Sequence, residues 1–478
     1  MNVVSDKLVK AWANVSPRFL PFADAATDEL PIGRLLRLSL FQVSVAMAVV
    51  LLNGTLNRVM IVELGVPTFV VAIAVSLPLL FAPFRALVGF KSDNHKSALG
   101  WKRAPYIWFG SMLQFGGLAI MPFALILLSG DSNGPAWIGY AAAGLAFLLV
   151  GAGLHTTQTA GLALATDLAP PESRPRVVAF LYVMLLVGMV VTSIVFGWLL
   201  SDFSQLRLIQ VVQGAAAVTM VLNVIALWKQ EVRDPSRTRG LAADEPGFLE
   251  SWKAMAASGP WLRVLVSIGL GTAAFSMQDI LLEPYGGEIL HLSVGQTTAL
   301  TGFLACGTLL GFVIASSVLT SGFDPFRLAA LGSIAGLAAF PLVILSAHVE
   351  SAQIFRIGTL LIGFGGGLFS VGTLTAVMNM SKGGRHGMAL GVWGAVQATA
   401  AGTAIACGGI IRDGVGALAT SGQLGEALAT PSTGYTAVYH IEIVLLFATL
   451  VAIGPLVGME RVNKSRMSGK FGLAEFPG

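Results

Sequence analysis

Charge is scarce in this sequence. Only 11% of its 478 residues are Asp, Glu, Lys or Arg, while 55% are hydrophobic. A water-soluble globule carries about a quarter charged residues, so a soluble domain is excluded. Cysteine is nearly absent as well. Cys306 and Cys407 are the only two, and both fall in apolar stretches. That excludes a disulfide framework and a zinc site. The six histidines are His95, His155, His291, His348, His386 and His440. No two stand four residues apart, the spacing that grips a metal from one helix face. A phosphate loop is missing too. Lys96-Ser97 follows His95, where such a loop needs glycine. The glycine run Gly363 to Gly367 has no strand before it, which excludes a dinucleotide fingerprint. With no catalytic constellation in view, the chain is not expected to be an enzyme, and no nucleic-acid partner is expected. No cleavable signal peptide is expected either, because the first apolar stretch begins only near Leu35.

What the sequence does have is long apolar runs. A helix needs about 20 apolar residues to cross a bilayer. Twelve such spans are predicted, near 36–62, 67–90, 104–129, 136–167, 176–200, 206–229, 261–284, 295–320, 326–348, 353–380, 387–411 and 435–458. Residues 1–34 form an N-terminal segment. Within it Val4, Leu8, Ala11, Trp12 and Val15 share one helical face, which suits a short helix on an anionic bilayer surface. A polar linker, 230–259, separates six-helix bundles at 35–229 and 260–459, and a tail follows at 460–478. Of the 29 Lys and Arg residues, all but Arg58, Arg207, Arg356 and Arg412 fall on one face of this arrangement. By the positive-inside rule that face, with both termini, is cytoplasmic.

The two halves resemble each other. "RVMIVE" (Arg58 to Glu63) ends the first span and "QDILLE" (Gln278 to Glu283) ends the seventh. "LLVG" (Leu148 to Gly151) in span 4 matches "LLIG" (Leu360 to Gly363) in span 10, with Asp167 and Asn379 sixteen residues beyond each glycine. Parallel six-span repeats describe the major facilitator architecture. The expected fold is therefore an all-α polytopic membrane protein of twelve helices in two pseudo-repeats. A binding site between the halves is expected.

The loop after span 2, "GFKSDNHKSALGWKRAPYIW" (Gly89 to Trp108), carries Gly89, Asp93, Lys96, Lys102 and Arg103. It resembles the facilitator signature loop, although Asn94 and His95 stand where an arginine is usual. Gly89 would allow close helix approach, Asp93 would accept bonds at a helix N-terminus, and the basic residues would hold the loop at the headgroups. Four further stretches, "LNRVMIVELGVP", "TDLAPPESRPRVVAFLYVM", "QDILLEPYGGEIL" and "GVWGAVQATAAG", extend the likeness over nearly the whole chain. Together they resemble the bacteriochlorophyll-delivery branch of the major facilitators, the PucC/LhaA family, and within it the LhaA type. The resemblance implies an assembly factor for the core light-harvesting antenna, in the intracytoplasmic inner membrane of purple bacteria. It implies bacteriochlorophyll as cargo, with carotenoid as a second candidate. Antenna polypeptides, the reaction-centre core complex and bacteriochlorophyll synthase are the implied partners. Two rival functions stay open: a proton-coupled transporter of a small solute, and a structural subunit of the photosynthetic complex.

Candidate pigment contacts are the intramembrane polar groups. His155 in span 4 could ligate magnesium, with Gln158 one turn beyond. Gln42, Asn53 and Asn57 in span 1 and Gln278 in span 7 are further candidates. Each could equally be hydrogen-bonding glue between helices. Gly391, Gly394 and Gly402 could form an outward face for single-span partners. The last expectation concerns charge. Arg58 and Glu63 end span 1, while Asp279 and Glu283 lie four residues apart near the end of span 7. The two carboxylates on one helical face repel each other, and Arg58 is expected to relieve this as a polar latch that bridges span 1 to Asp279 or Glu283.

Overall fold

The computed structural model describes residues 27, 30–80, 88, 92, 101–129, 135–170, 173–231, 260–380 and 386–458. Eleven helices among them are long and apolar enough to cross a membrane, and a twelfth apolar helix is shorter. In chain order they are α1 Ile32–Glu63, α2 Thr68–Leu80, α3 Ala104–Leu128, α4 Ala136–Leu168, α5 Arg174–Leu199 and α6 Gln205–Leu227. The second half holds α7 Trp261–Glu288, α8 Val294–Thr320, α9 Pro325–His348, α10 Ala352–Met380, α11 His386–Thr420 and α12 Thr433–Ile453. No strand occurs among the described residues. The protein is a multi-pass membrane protein.

Local chemistry sets the helix starts. Ser204 caps α6 by accepting from the Arg207 amide. Ser293 and Gln296 form a reciprocal capping box on α8. Asp324 caps α9 by accepting from the Phe326 and Arg327 amides. A second oxygen of Asp324 accepts from the Gly458 amide at 2.6 Å, tying the start of α9 to the chain just past α12. The first half repeats this device with a different residue. Glu231, just past α6, accepts from the amides of Lys102, Arg103 and Ala104 at the start of α3. Gln230 is bound to Arg34 in the same region, so the chain stays attached to the first bundle through Glu231.

Of the signature-loop residues, Gly89, Asp93 and Lys96 lie outside the described residues. Lys102 and Arg103 are described. Arg103 does not reach for headgroups as expected. It is buried, and it donates to Asp167 at the end of α4 (2.9 Å) and to Ser92 (2.5 Å). A guanidinium has enough donors to tie several helix ends at once.

Glycine lets α10 sit tightly between α8 and α9. Gly363 abuts the Leu304 backbone of α8, and Gly365 abuts Gly332 of α9. The glycine run therefore serves helix packing on both sides. A Cβ on Gly367 would lie 2.8 Å from the Thr308 carbonyl oxygen. Backbone cannot yield as a side chain tip can, so Gly367→Val is expected to cost about 1–3 kcal/mol by overpacking. Thermal unfolding in detergent would show it, and an unchanged midpoint would mean that α8 and α10 can part to admit the side chain.

We call the side where α1 begins and α12 ends proximal, and the opposite side distal. Buried apolar residues form one continuous cluster through the distal part, with members from both halves, such as Leu51, Phe147, Leu300 and Tyr439. Toward the proximal side the core divides. One cluster around Leu38, Phe41 and Val177 belongs to the first half. Others, around Trp261 and Phe326 and around Leu319 and Leu328, belong to the second. Among the described residues the halves are thus joined distally and apart proximally. At the distal joint Gly197 of α5 packs on Gly295 of α8, and Gly409 of α11 packs on α2 at Thr68 and Ala72.

Candidate functional site

The matching segments that end spans 1 and 7 are also places where their helices lose regularity. α1 is α-helical to Val49 and then runs as π-helix over Val50–Leu56 and Val59–Glu63. α7 is α-helical over Trp261–Ser276, passes through a 3-10 turn at Met277–Ile280, and resumes over Leu282–Glu288. Such departures free backbone groups, which must then find partners inside the bundle. At the α7 break that partner is Glu442 of α12, which is fully buried. Its Oε1 accepts from the Gln278 amide at 2.7 Å. Gln278 in turn donates its side-chain amide to the Phe275 carbonyl (3.0 Å) and to Asp279 (2.5 Å). Nothing in the sequence reading singled out Glu442. The signal was available, because an acid inside the apolar run "YHIEIVLLF" is costly and needs a reason.

The expected latch is corrected by this geometry. Asp279 stands in the 3-10 turn and Glu283 in the helical stretch that resumes after it. Arg58 pairs with Glu63 on its own helix and donates to the Leu292 carbonyl at 3.3 Å. It bridges to neither Asp279 nor Glu283. The link from span 1 to Glu283 is made by Asn57 instead, which donates to it at 3.3 Å. Glu283 also accepts from Thr301 of α8 at 3.0 Å. Thr55 and Thr298 are hydrogen-bonded nearby at 3.1 Å. Arg58 is kept close to α7 by a glycine: a Cβ on Gly287 would lie 2.9 Å from its Nε.

A second polar network went unread. Arg412 of α11 donates to Glu288 of α7 (2.6 Å), to Asp413 (2.9 Å) and to the Tyr435 hydroxyl (3.0 Å). Its guanidinium also lies 4.5 Å from the Tyr435 ring centre. Tyr435 donates to Glu288 at 2.8 Å. Asp413 accepts from the Phe69 amide of α2 at 2.8 Å, which carries the network across to the first half. Among the described residues, the hydrogen bonds between halves all lie in this distal region.

Comparison with known proteins adds the family. The family model described as PUCC protein matches residues 55–461. The chain belongs to the PUCC protein family. Protein PucC of Rhodovulum sulfidophilum is 59% identical over 420 residues, covering 87% of this chain and 92% of that protein. A Rhodobacter capsulatus protein, described as an uncharacterized protein in the puhA-bchM intergenic region, is 55% identical over 463 residues. That match covers 96% of this chain and 97% of the relative. Among solved structures, a bacterial homologue of the iron transporter ferroportin in an inward-facing state aligns with TM-score 0.66 at 15% identity. It covers 89% of this chain and 98% of that one. The fold of this PUCC family member is therefore the major facilitator fold.

In this PUCC protein the pigment-contact candidates are not gathered at one place. Gln42 of α1 and Gln158 of α4 meet at 3.4 Å. Asn57 belongs to the Glu283 link, and Gln278 to the α7 break. Asn53 and His155 are each half-buried, on α1 and α4. Among the described residues, no three His, Cys, Asp or Glu side chains are placed to hold a metal ion. An apolar groove has a volume of about 690 Å³. It lies between α11 and α12 with α7 as its floor, and Met277 of the 3-10 turn is part of that floor.

Proposed function

We propose that this protein handles bacteriochlorophyll during assembly of the core light-harvesting antenna of purple bacteria. It would sit in the intracytoplasmic inner membrane with both termini in the cytoplasm, and antenna polypeptides of the reaction-centre core complex would be its clients. The observation that carries the reading is family membership over residues 55–461, nearly the whole chain. The groove beside α7 is compatible with it. From Ala395 to Ile411 it follows α11 for about 24 Å. Its lining is almost wholly apolar, which suits a hydrocarbon tail such as that of an amphipathic pigment. Gly391 and Gly394 of α11 have open space before them, which is what a single-span client could use, whereas Gly402, expected on the same face, is buried.

The test is spectroscopic. Gently purified protein is expected to carry bacteriochlorophyll absorption and to bring antenna polypeptides with it. Deleting the gene, together with any relative that could substitute, is expected to lower assembled core antenna while pigment synthesis continues. Normal antenna absorbance in the deletion strain would sink the reading. A pigment-free preparation that moves a solute with a proton gradient would replace it with a transporter.

A further inference from the structure

Two histidines stand together on the outer surface of the second half. His348 is the last residue of α9, and His440 lies seven residues into α12, about 10 Å along it. Both are exposed. Both line one groove of about 470 Å³, walled by Pro341, Ile344, Leu345 and Ile443. The wall positions on α9 recur at spacings of three and four, so they form one face with His348. Just beneath, the buried rings of Phe340 and Tyr439 stack with centres 6.3 Å apart and hold the two helices at this crossing.

The ring orientations are informative. His440 Nδ1 lies 2.7 Å from the Thr436 carbonyl, and His348 Nδ1 lies 3.2 Å from the Ile344 carbonyl. A carbonyl oxygen can only accept, so each Nδ1 carries the proton. In the neutral ring the lone pair is then on Nε2. An imidazole that donates one N–H to a backbone carbonyl and presents its other nitrogen is the usual arrangement of a metal-binding histidine. A bare ion would need three or four protein ligands, and among the described residues no third candidate is placed to help. A metal already held in a macrocycle needs only an axial ligand. The aliphatic walls suit the flat face of such a ring.

We propose that the groove between α9 and α12 binds a metal tetrapyrrole, with His440 Nε2 as the axial ligand and His348 as the second donor at the same opening. The shorter bond to Thr436 makes His440 the better-oriented ligand. This inference rests on the pigment-handling reading above and assigns the pigment's metal to the groove between α9 and α12, in place of His155 and apart from the groove beside α7.

The experiment titrates the full-length protein in detergent with bacteriochlorophyll a and, separately, with its magnesium-free form, bacteriopheophytin a. Wild type is expected to bind the magnesium pigment at least about tenfold more tightly, with a resonance Raman signature of an axially ligated magnesium. His440→Leu should lower that affinity about tenfold, to the level of the metal-free pigment. His348→Leu should lower it less, and His155→Leu should leave it unchanged. Both histidines are exposed, so unfolding temperature should not move. Magnesium-dependent binding that survives the His348→Leu/His440→Leu double variant would overturn the site and leave the pigment-handling reading standing. Wild type that binds neither pigment would overturn both. Zinc binding through the pair, without discrimination between the two pigments, would make it a metal-ion site and overturn the proposal.

Discussion

Arg412→Ala is expected to destabilise the protein by about 3 kcal/mol. Breaking a buried ion pair by removing one partner costs about 3–5 kcal/mol. The lower end applies here, because 20% of the Arg412 side chain and 25% of Glu288 remain accessible. The loss is large because one guanidinium serves three partners, Glu288, Asp413 and Tyr435. Lysine cannot reproduce that fork, so Arg412→Lys should recover only part of it. Adding Glu288→Gln to Arg412→Ala should recover some stability by removing the stranded charge. The effect should reach the joint between halves, since Asp413 holds the Phe69 amide. Hydrogen exchange at the start of α2 should therefore rise together with the drop in unfolding temperature. Unchanged exchange there, in a variant that is otherwise destabilised, would show that Asp413 keeps its grip without Arg412.

Glu283→Ala is expected to cost about 2–4 kcal/mol. Truncation strands two buried donors, the Asn57 amide and the Thr301 hydroxyl, at about 1–3 kcal/mol each. Removing a buried carboxylate offsets part of this. Glu283→Gln should fall within about 1 kcal/mol of wild type. Its amide oxygen can accept from Asn57 and its NH2 can donate to the Thr301 hydroxyl, which is able to accept. Asp279→Asn should also be mild, because Asp279 is half-buried and bonds only to its neighbour Gln278. Arg58→Ala should cost about 1 kcal/mol, since its partner Glu63 keeps 38% of its side chain accessible. Unfolding curves of the four variants order these contacts. An Arg58→Ala loss as large as that of Glu283→Ala would return the distal link to Arg58.

The charge network shows how far pattern could reach. Arg58, Glu63, Asp279 and Glu283 were all legible as costly groups near helix ends, and all four lie in the distal joint. Their pairing was not legible. Helical periodicity assumes regular turns, and both helices depart from α geometry where these residues stand. The partners come from other helices, as Asn57 and Thr301 do for Glu283. Asn57 was marked as a possible pigment contact and is instead the residue that holds Glu283. An amide carries no signal of which acid it will meet. The histidines divide in the same way. His348 and His440 were excluded as a metal pair because they are not four residues apart, a rule that holds within one helix. Their shared groove arises between helices.

By itself the sequence determined that this is a multi-pass membrane protein with two similar halves. Apolar runs of span length and repeated motifs depend only on order along the chain, and water excludes every alternative to burying such runs in lipid. It also determined the family, since long local motifs are properties of the chain alone. Tertiary structure decided the rest. It chose Glu442 as the partner of the broken α7, Asn57 as the bridge to Glu283, and Arg412 as the centre of the second network. It also decided that, among the described residues, the halves close distally and part proximally. These outcomes depend on which side chains come within about 3 Å of each other across helices far apart in the chain. That proximity is set by how glycines let backbones approach and by where helices lose regularity, and neither is written in the spacing of any one segment.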